Sequence, residues 1–311
     1  MSKKLCYTLF FLLVLTGKIL PSIQEKTHEL TQDNNKVMCI TIPQSGTHLL
    51  MKCITLLGIQ DLSFEYWKSP HNPGLKTTLK QNNETIALPI EETLKYWKTP
   101  VHNNNNINNT KISRVHENRA LARHLVHSPE AEKFVSKHTY ANFFVLRDPR
   151  AQLVSQAFTF RKADISFEKM LIDAIMAHEE SFLPIQKHPM FSCLYWKMGL
   201  YEFYNQYLPW INVKNFYTVK FENLVGIHGG GTLEAQAQEI KNIGKHLGLE
   251  LTDQKIIDIQ NNLYGNTGTF RTGKIDDWKQ YFTPAVKQAF KSRPELLQLL
   301  INLGYEKDTS W

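Results

Sequence analysis

Three short stretches of this chain collect hydroxyls, cations and small residues of the kind that hold an oxyanion. Ser45-Gly46-Thr47 follows an apolar, β-branched run from Val37 to Ile42 and precedes Leu49, Leu50, Cys53, Leu56 and Leu57. The run predicts a buried strand and the later spacing predicts a helix. A strand passing through a small, hydroxyl-bearing loop into a helix points several backbone N–H groups at one spot. The helix N-terminus adds positive potential there. The Walker A pattern is absent. In the second stretch, the apolar run Ala141–Leu146 ends in Arg147, and Asp148-Pro149 opens a helix, with Asp148 as cap and Pro149 in the first turn. Arg147 there is placed for charge-assisted bonds to a phosphate, and Ser155, two helical turns on, adds a hydroxyl. The third stretch, Arg271-Thr272-Gly273-Lys274, is a basic, Gly-containing loop followed by Trp278, Tyr281 and Phe282. On residue types alone, an ordinary strand–helix connection competes with the first reading, and an Arg–carboxylate bridge with the second.

These groups need a scaffold that brings loops from distant parts of the chain together. A third strand is expected at Phe216–Phe221, and a helix over 233–247 that stops at Gly248. Residues 166–208 are helical in pattern and rich in aromatics at core spacing. Residues 58–120 carry several prolines and the low-complexity tract 103–109, which read as loops or an exposed insertion. Phe64, Tyr66, Trp67, Tyr96 and Trp97 within it either stack on an acceptor molecule or pin the loops down. Strands, nucleotide-type loops and long helices together predict an α/β fold. Its expected form is three-layer α/β/α with a central, mainly parallel sheet, P-loop nucleotide-kinase-like.

At 311 residues, 42% hydrophobic and 21% charged, the chain is globular in composition and long enough for a full core. The net charge of +7 agrees with an anionic ligand. Lys/Arg clusters interleaved with aromatics are absent, which argues against a nucleic-acid partner. The four cysteines, Cys6, Cys39, Cys53 and Cys193, form no Cys-x-x-Cys pair, and His-Glu-x-x-His does not occur. Buried thiols and no metal site are the expectation. Lys3-Lys4 precede an apolar run from Leu5 to Leu15. That run is a signal-peptide length, shorter than the ~20 residues of a comfortable membrane span. The expected organisation is a signal peptide or short signal anchor at 1–22, a polar linker at 23–35 and one domain at 36–311. It carries a secretory-pathway or membrane-associated location and N-terminal membrane association, with a cytoplasmic location as the alternative.

Taken together with Phe221-Glu222-Asn223-Leu224, the three stretches resemble the sulfotransferase family that uses 3′-phosphoadenosine 5′-phosphosulfate (PAPS), from about residue 36 to about residue 285. The resemblance implies that Ser45, Gly46, Thr47 and His48 hold the 5′-phosphosulfate. It implies that Arg147, Ser155, Arg271, Thr272 and Gly273 surround the 3′-phosphate, with Phe221 near the adenine. PAPS is then the co-substrate and PAP the product, with no metal. The family's catalytic histidine falls in the interval of Ala122-Arg123-His124-Leu125-Val126-His127, where His124 matches best and His116 and His127 are the alternatives. His suits a general base because its unperturbed pKa lies near neutrality.

Gln44 departs from the family, which usually has Lys at this loop position. Gln donates a hydrogen bond but carries no charge. The lost cation is worth about 2–4 kcal/mol of transition-state stabilisation, roughly 30–1,000-fold in rate. Arg271, Lys274, Lys52 or a protonated His48 are the candidates to replace it. Leu49 and Thr272 stand where the family often has Trp and Lys. The leading expectation is a sulfotransferase acting on a hydroxyl or amine, with His124 as base and Gln44 as neutral stabiliser. Its acceptor is a carbohydrate, peptide, lipid or small alcohol. The alternative is a degenerate module that binds PAP, PAPS or the acceptor without turnover. A P-loop kinase is the third, weaker reading.

Overall fold

The computed structural model describes residues 36–61, 119–159, 165–177, 199–267 and 270–311. All of them belong to one compact unit, Asn35–Trp311. The expected leader, the linker, the Asn-rich tract, His116 and the aromatics of 64–97 lie outside the described residues.

The elements run β1 (Lys36–Thr41), α1 (Thr47–Leu56), β2 (Gln60–Asp61), β3 (Arg119–Arg123), α2 (Pro129–His138), β4 (Ala141–Leu146), α3 (Pro149–Thr159) and α4 (Phe167–Met176). After them come α5 (Leu200–Asn205), β5 (Phe216–Lys220), α6 (Phe221–Leu224), α7 (Leu233–His246), α8 (Asp253–Leu263), α9 (Pro284–Lys291) and α10 (Pro294–Asn302). The five strands form one sheet in the order β2-β3-β1-β4-β5. Every pairing in it is parallel. Parallel strands are covered on both faces and therefore read as continuous apolar runs, as β1 and β4 do.

Alternate residues of β1 and β4 enter two separate cores. Met38, Ile40, Phe144 and Leu146 pack with Phe134 and Val135 of α2, Leu153 and Val154 of α3, Leu171 of α4 and Phe290 of α9. Val37, Cys39, Phe143 and Val145 pack with Leu50 and Ile54 of α1, Ile240 and Ile243 of α7 and Ile259 of α8. The two-residue period of a strand produces this division directly. Cys39 and Cys53 are buried free thiols in the second core, and burial holds the pKa of Cys53 up at about 12. They are packing residues at neutral pH.

Local chemistry fixes the helix starts. Pro149 opens α3, and the Asp148 carboxylate accepts from the Arg150 N–H at 2.8 Å. The Thr232 hydroxyl accepts from the Ala235 N–H at 3.1 Å to start α7. Each such cap is worth about 1 kcal/mol. Among the described residues no helix is long and apolar enough to cross a membrane.

Four loops leave the same edge of the sheet. The β1–α1 loop, His124 after β3, Arg147 after β4 and Phe221 after β5 all follow the C-terminal ends of adjacent parallel strands. From β1 the chain proceeds to the β3 side and from β4 to the β5 side, so its direction changes between β1 and β4. Open parallel sheets bind ligands at such a switch point, outside the strand C-termini.

Candidate active site

The β1–α1 turn is tight. The Ser45 N–H donates to the Ile42 carbonyl at 3.1 Å, and the Leu50 N–H to the Gly46 carbonyl at 3.1 Å. Gly46 takes the left-handed conformation at φ 118°, and a Cβ there would lie 2.8 Å from the Phe221 ring. Gln44 also has positive φ, at 65°, which is uncommon for a residue with a side chain and marks a constrained turn. Ser45 is fully buried, and its hydroxyl has no hydrogen-bond partner. A buried polar group left unpaired costs about 1–3 kcal/mol, so it calls for an explanation.

Arg147 gives the same signal. It is 6% exposed, and its fork donates to the Gln44 carbonyl and the Lys274 carbonyl, each at 3.2 Å. Its Nε is buried and unpaired. The guanidinium lies 4.2 Å from the centroid of the Phe221 ring. Burial lowers its pKa, opposed by the nearby Glu222 carboxylate; an arginine stays charged through any such shift. Glu222 accepts from the Asp148 N–H at 2.9 Å and from the Tyr305 hydroxyl at 3.1 Å. Burial raises the Glu222 pKa.

The late loop comes to the same place. Lys274 contributes its carbonyl to Arg147, and Gly273 turns the loop at φ 61°. The Tyr264 hydroxyl donates to the Thr272 carbonyl at 2.7 Å. Arg271 pairs with Asp277 and stacks 4.2 Å over the Phe158 ring, while its Nε is buried without a partner. Ser155 donates to the Gln44 side-chain oxygen at 3.2 Å. The Gln152 amide donates to the Pro43 carbonyl at 2.5 Å and ties α3 to the turn.

His124 stands on the other side of the turn. Its Nδ1 lies 2.9 Å from the Thr41 hydroxyl and 2.9 Å from the Thr41 carbonyl oxygen. The Thr47 hydroxyl donates to that of Thr41 at 2.8 Å. Of the alternative histidines, His127 is bound to Glu132 at 3.0 Å and edges onto Trp210, a packing arrangement.

The structure thus brings together Gln44, Ser45, Gly46, Thr47, His124, Arg147, Ser155, Phe221 and the loop of 271–274. Of the candidates to supply the cation missing at Gln44, Lys52 donates to the Gly265 carbonyl at 2.9 Å, and Arg271 is paired with Asp277. Burial lowers the His48 pKa, which favours the neutral ring at pH 7. Sequence reasoning missed Thr41, Gln152 and the Lys274 carbonyl, whose parts are visible only in the contacts. Among the described residues no cluster of His, Cys, Asp and Glu is arranged to hold a metal.

No protein-family model matches the chain, and no curated protein does. Among solved structures it is similar to mouse sulfotransferase SULT7A1, crystallised with PAP, at a TM-score of 0.55 and 16% identity. The match covers 87% of this chain and 85% of that one. The chain has a sulfotransferase-like fold. At such low identity the likeness extends to the backbone arrangement and leaves the side chains of the site to be argued from their own geometry.

Proposed function

We propose that the protein transfers a sulfuryl group from PAPS to a hydroxyl or amine of an acceptor. The observation that carries this reading is the pair of buried, unpaired donors, Ser45 Oγ and Arg147 Nε, on loops that converge at the switch point of the sheet. Unpaired buried donors beside a helix N-terminus fit an incoming anion better than any internal role. The fold shared with a PAP-bound sulfotransferase supports the choice of nucleotide. The same reading takes the two cores as the sign of a three-layer, P-loop-like domain. It also places an N-terminal signal or anchor before the domain.

In the proposed reaction the acceptor oxygen or nitrogen attacks sulfur and a new bond to sulfur forms. The bond from sulfur to the bridging oxygen of PAPS breaks, and its electron pair stays on the 5′-phosphate of PAP. His124 takes the acceptor's proton. The N–H groups of the β1–α1 turn and the Gln44 amide stabilise charge on the transferring and leaving oxygens. Arg147, Ser155 and the 271–273 loop bind the 3′-phosphate.

A second reading, a module that binds PAP without turnover, is favoured by one observation: Gln44 is neutral, while Lys52 and Arg271 are engaged elsewhere. Calorimetric titration with PAP, with ATP as control, tests the nucleotide site. PAP binding with little ATP binding is expected, and absence of PAP binding would sink both readings. Labelled PAPS with a panel of carbohydrate, peptide, lipid and small-alcohol acceptors then separates them. Turnover by the wild type supports the enzyme. Turnover appearing only in Gln44→Lys supports the module.

A further inference from the structure

We infer that Thr41 is a positioning residue that fixes the tautomer and orientation of His124 and links that ring to the donor loop. The geometry is specific about where the ring proton sits. His124 Nδ1 lies 2.9 Å from the Thr41 carbonyl oxygen. A carbonyl oxygen only accepts, so a nitrogen held at that distance must carry the proton; a bare lone pair there would face another lone pair. Nδ1–H is therefore the donor, shared between that carbonyl and the Thr41 hydroxyl, also at 2.9 Å. The basic lone pair of the neutral ring then lies on Nε2, at the far side of the imidazole.

The strand register explains why Thr41 can do this. Ile40 is paired with Arg123 across the parallel β1–β3 ladder, so the next residues, Thr41 and His124, leave the sheet side by side. Thr41 is fully buried, and its hydroxyl accepts from that of Thr47, the first residue of α1. A continuous hydrogen-bonded path runs from the anion turn through Thr47 and Thr41 to the ring. Two acceptors on one residue, one on the backbone and one on the side chain, define the ring plane as well as its tautomer. The catalytic meaning of this arrangement rests on the base role proposed above; the tautomer itself does not.

The test is nuclear magnetic resonance of the full-length protein carrying ¹⁵N-labelled histidine, at a pH where the ring is neutral. His124→Gln identifies the signals of this one ring among the 12 histidines. The expected result is a protonated Nδ1 and an unprotonated Nε2. Thr41→Val keeps the shape and the carbonyl but removes the hydroxyl. The tautomer ratio should then move toward Nε2–H by about five-fold, the effect of one ordinary hydrogen bond. Thr41→Ser should restore it. A wild-type ring protonated on Nε2 overturns the assignment, and so does a Thr41→Val ratio equal to that of the wild type. If Thr41→Val fails to fold, the wild-type and Thr41→Ser spectra decide alone. Full turnover in His124→Gln removes the base role and leaves the tautomer standing; a wrong tautomer with lost turnover does the reverse.

Discussion

Arg147 and Arg150 lie three positions apart across the β4–α3 junction, Arg147 in the loop and Arg150 in the first turn of α3, and both are buried. Their surroundings are opposite. Arg150 sits in the corner formed by the edge-to-face rings of Trp278 and Trp311, its guanidinium 4.0 and 4.3 Å from the two ring centroids. It pairs with Asp148 at 2.7 Å and Glu306 at 2.5 Å. Burial pulls its pKa down, and the bonds and charges of Asp148 and Glu306 outweigh that, so the net shift is upward. For Arg147 burial prevails and the net shift is downward. Its fork holds only two carbonyls, and its Nε holds nothing. Arg150 is satisfied by the fold and stabilises it. Arg147 lacks a full set of partners within the fold, and an anion would complete the set under the function proposed above. Two arginines in one segment thus differ in how fully the fold satisfies them, and the difference is in their neighbours.

The sharpest way to break this contrast is to remove each cation. Arg150→Met leaves Asp148 and Glu306 without their partner and should cost about 3–5 kcal/mol in chemical denaturation. Arg147→Ala should leave stability within about 1 kcal/mol of the wild type, yet weaken PAP by at least about 30-fold in calorimetry, through lost charge-assisted bonds. If both variants lose stability equally, the distinction is wrong. Gly46→Ala sharpens it from the side. The new Cβ enters the Phe221 ring at an unfavourable φ, at a cost of about 1–3 kcal/mol. Because Phe221 stacks on Arg147, PAP affinity should fall although no donor has been removed.

The smallest expected effect concerns Glu222, whose folded-state pKa is raised by burial. The folded protein holds this proton more tightly than the unfolded chain does. The group's contribution is therefore fully present below the ordinary carboxylate pKa and is lost as pH rises through the raised one. Glu222→Gln keeps an oxygen for the Asp148 N–H and cannot ionise. Relative to it, the wild type should lose stability as pH rises above the ordinary carboxylate range, read in pH-dependent unfolding. A pH-independent difference would mean that Glu222 does not titrate above that range.

Much of this arrangement was legible residue by residue. The run at 37–42 became β1, Pro149 became the first residue of α3 with Asp148 capping it, and the helix expected at 233–247 closes at His246. Small residues in the first turn, and Arg147 at the end of an apolar run, pointed to an anion before any contact was known. Thr41 gave no such sign, because a threonine ending a strand is an ordinary residue. The carbonyls of Lys274 and Gln44 were equally silent, since every residue carries one. The Asp277 that pairs with Arg271 is six positions away, and nothing in the spacing separates that pairing from a free cation.

The sequence by itself determined the strands β1, β4 and β5, the helices α1 and α7, where α3 begins, and which residue types could meet an anion; β3, read as part of a loop region and a histidine-bearing interval, showed itself only in the structure. The former follow from hydrophobic period, capping chemistry and the conformational freedom of glycine, all of which act over a few residues. Tertiary structure alone decided which arginine is spent on the fold and which is left open, and which oxygen holds the imidazole proton. Those outcomes depend on groups from distant segments meeting in a medium from which water is excluded. There a single unpaired donor, or a carbonyl 2.9 Å from a ring nitrogen, governs the chemistry.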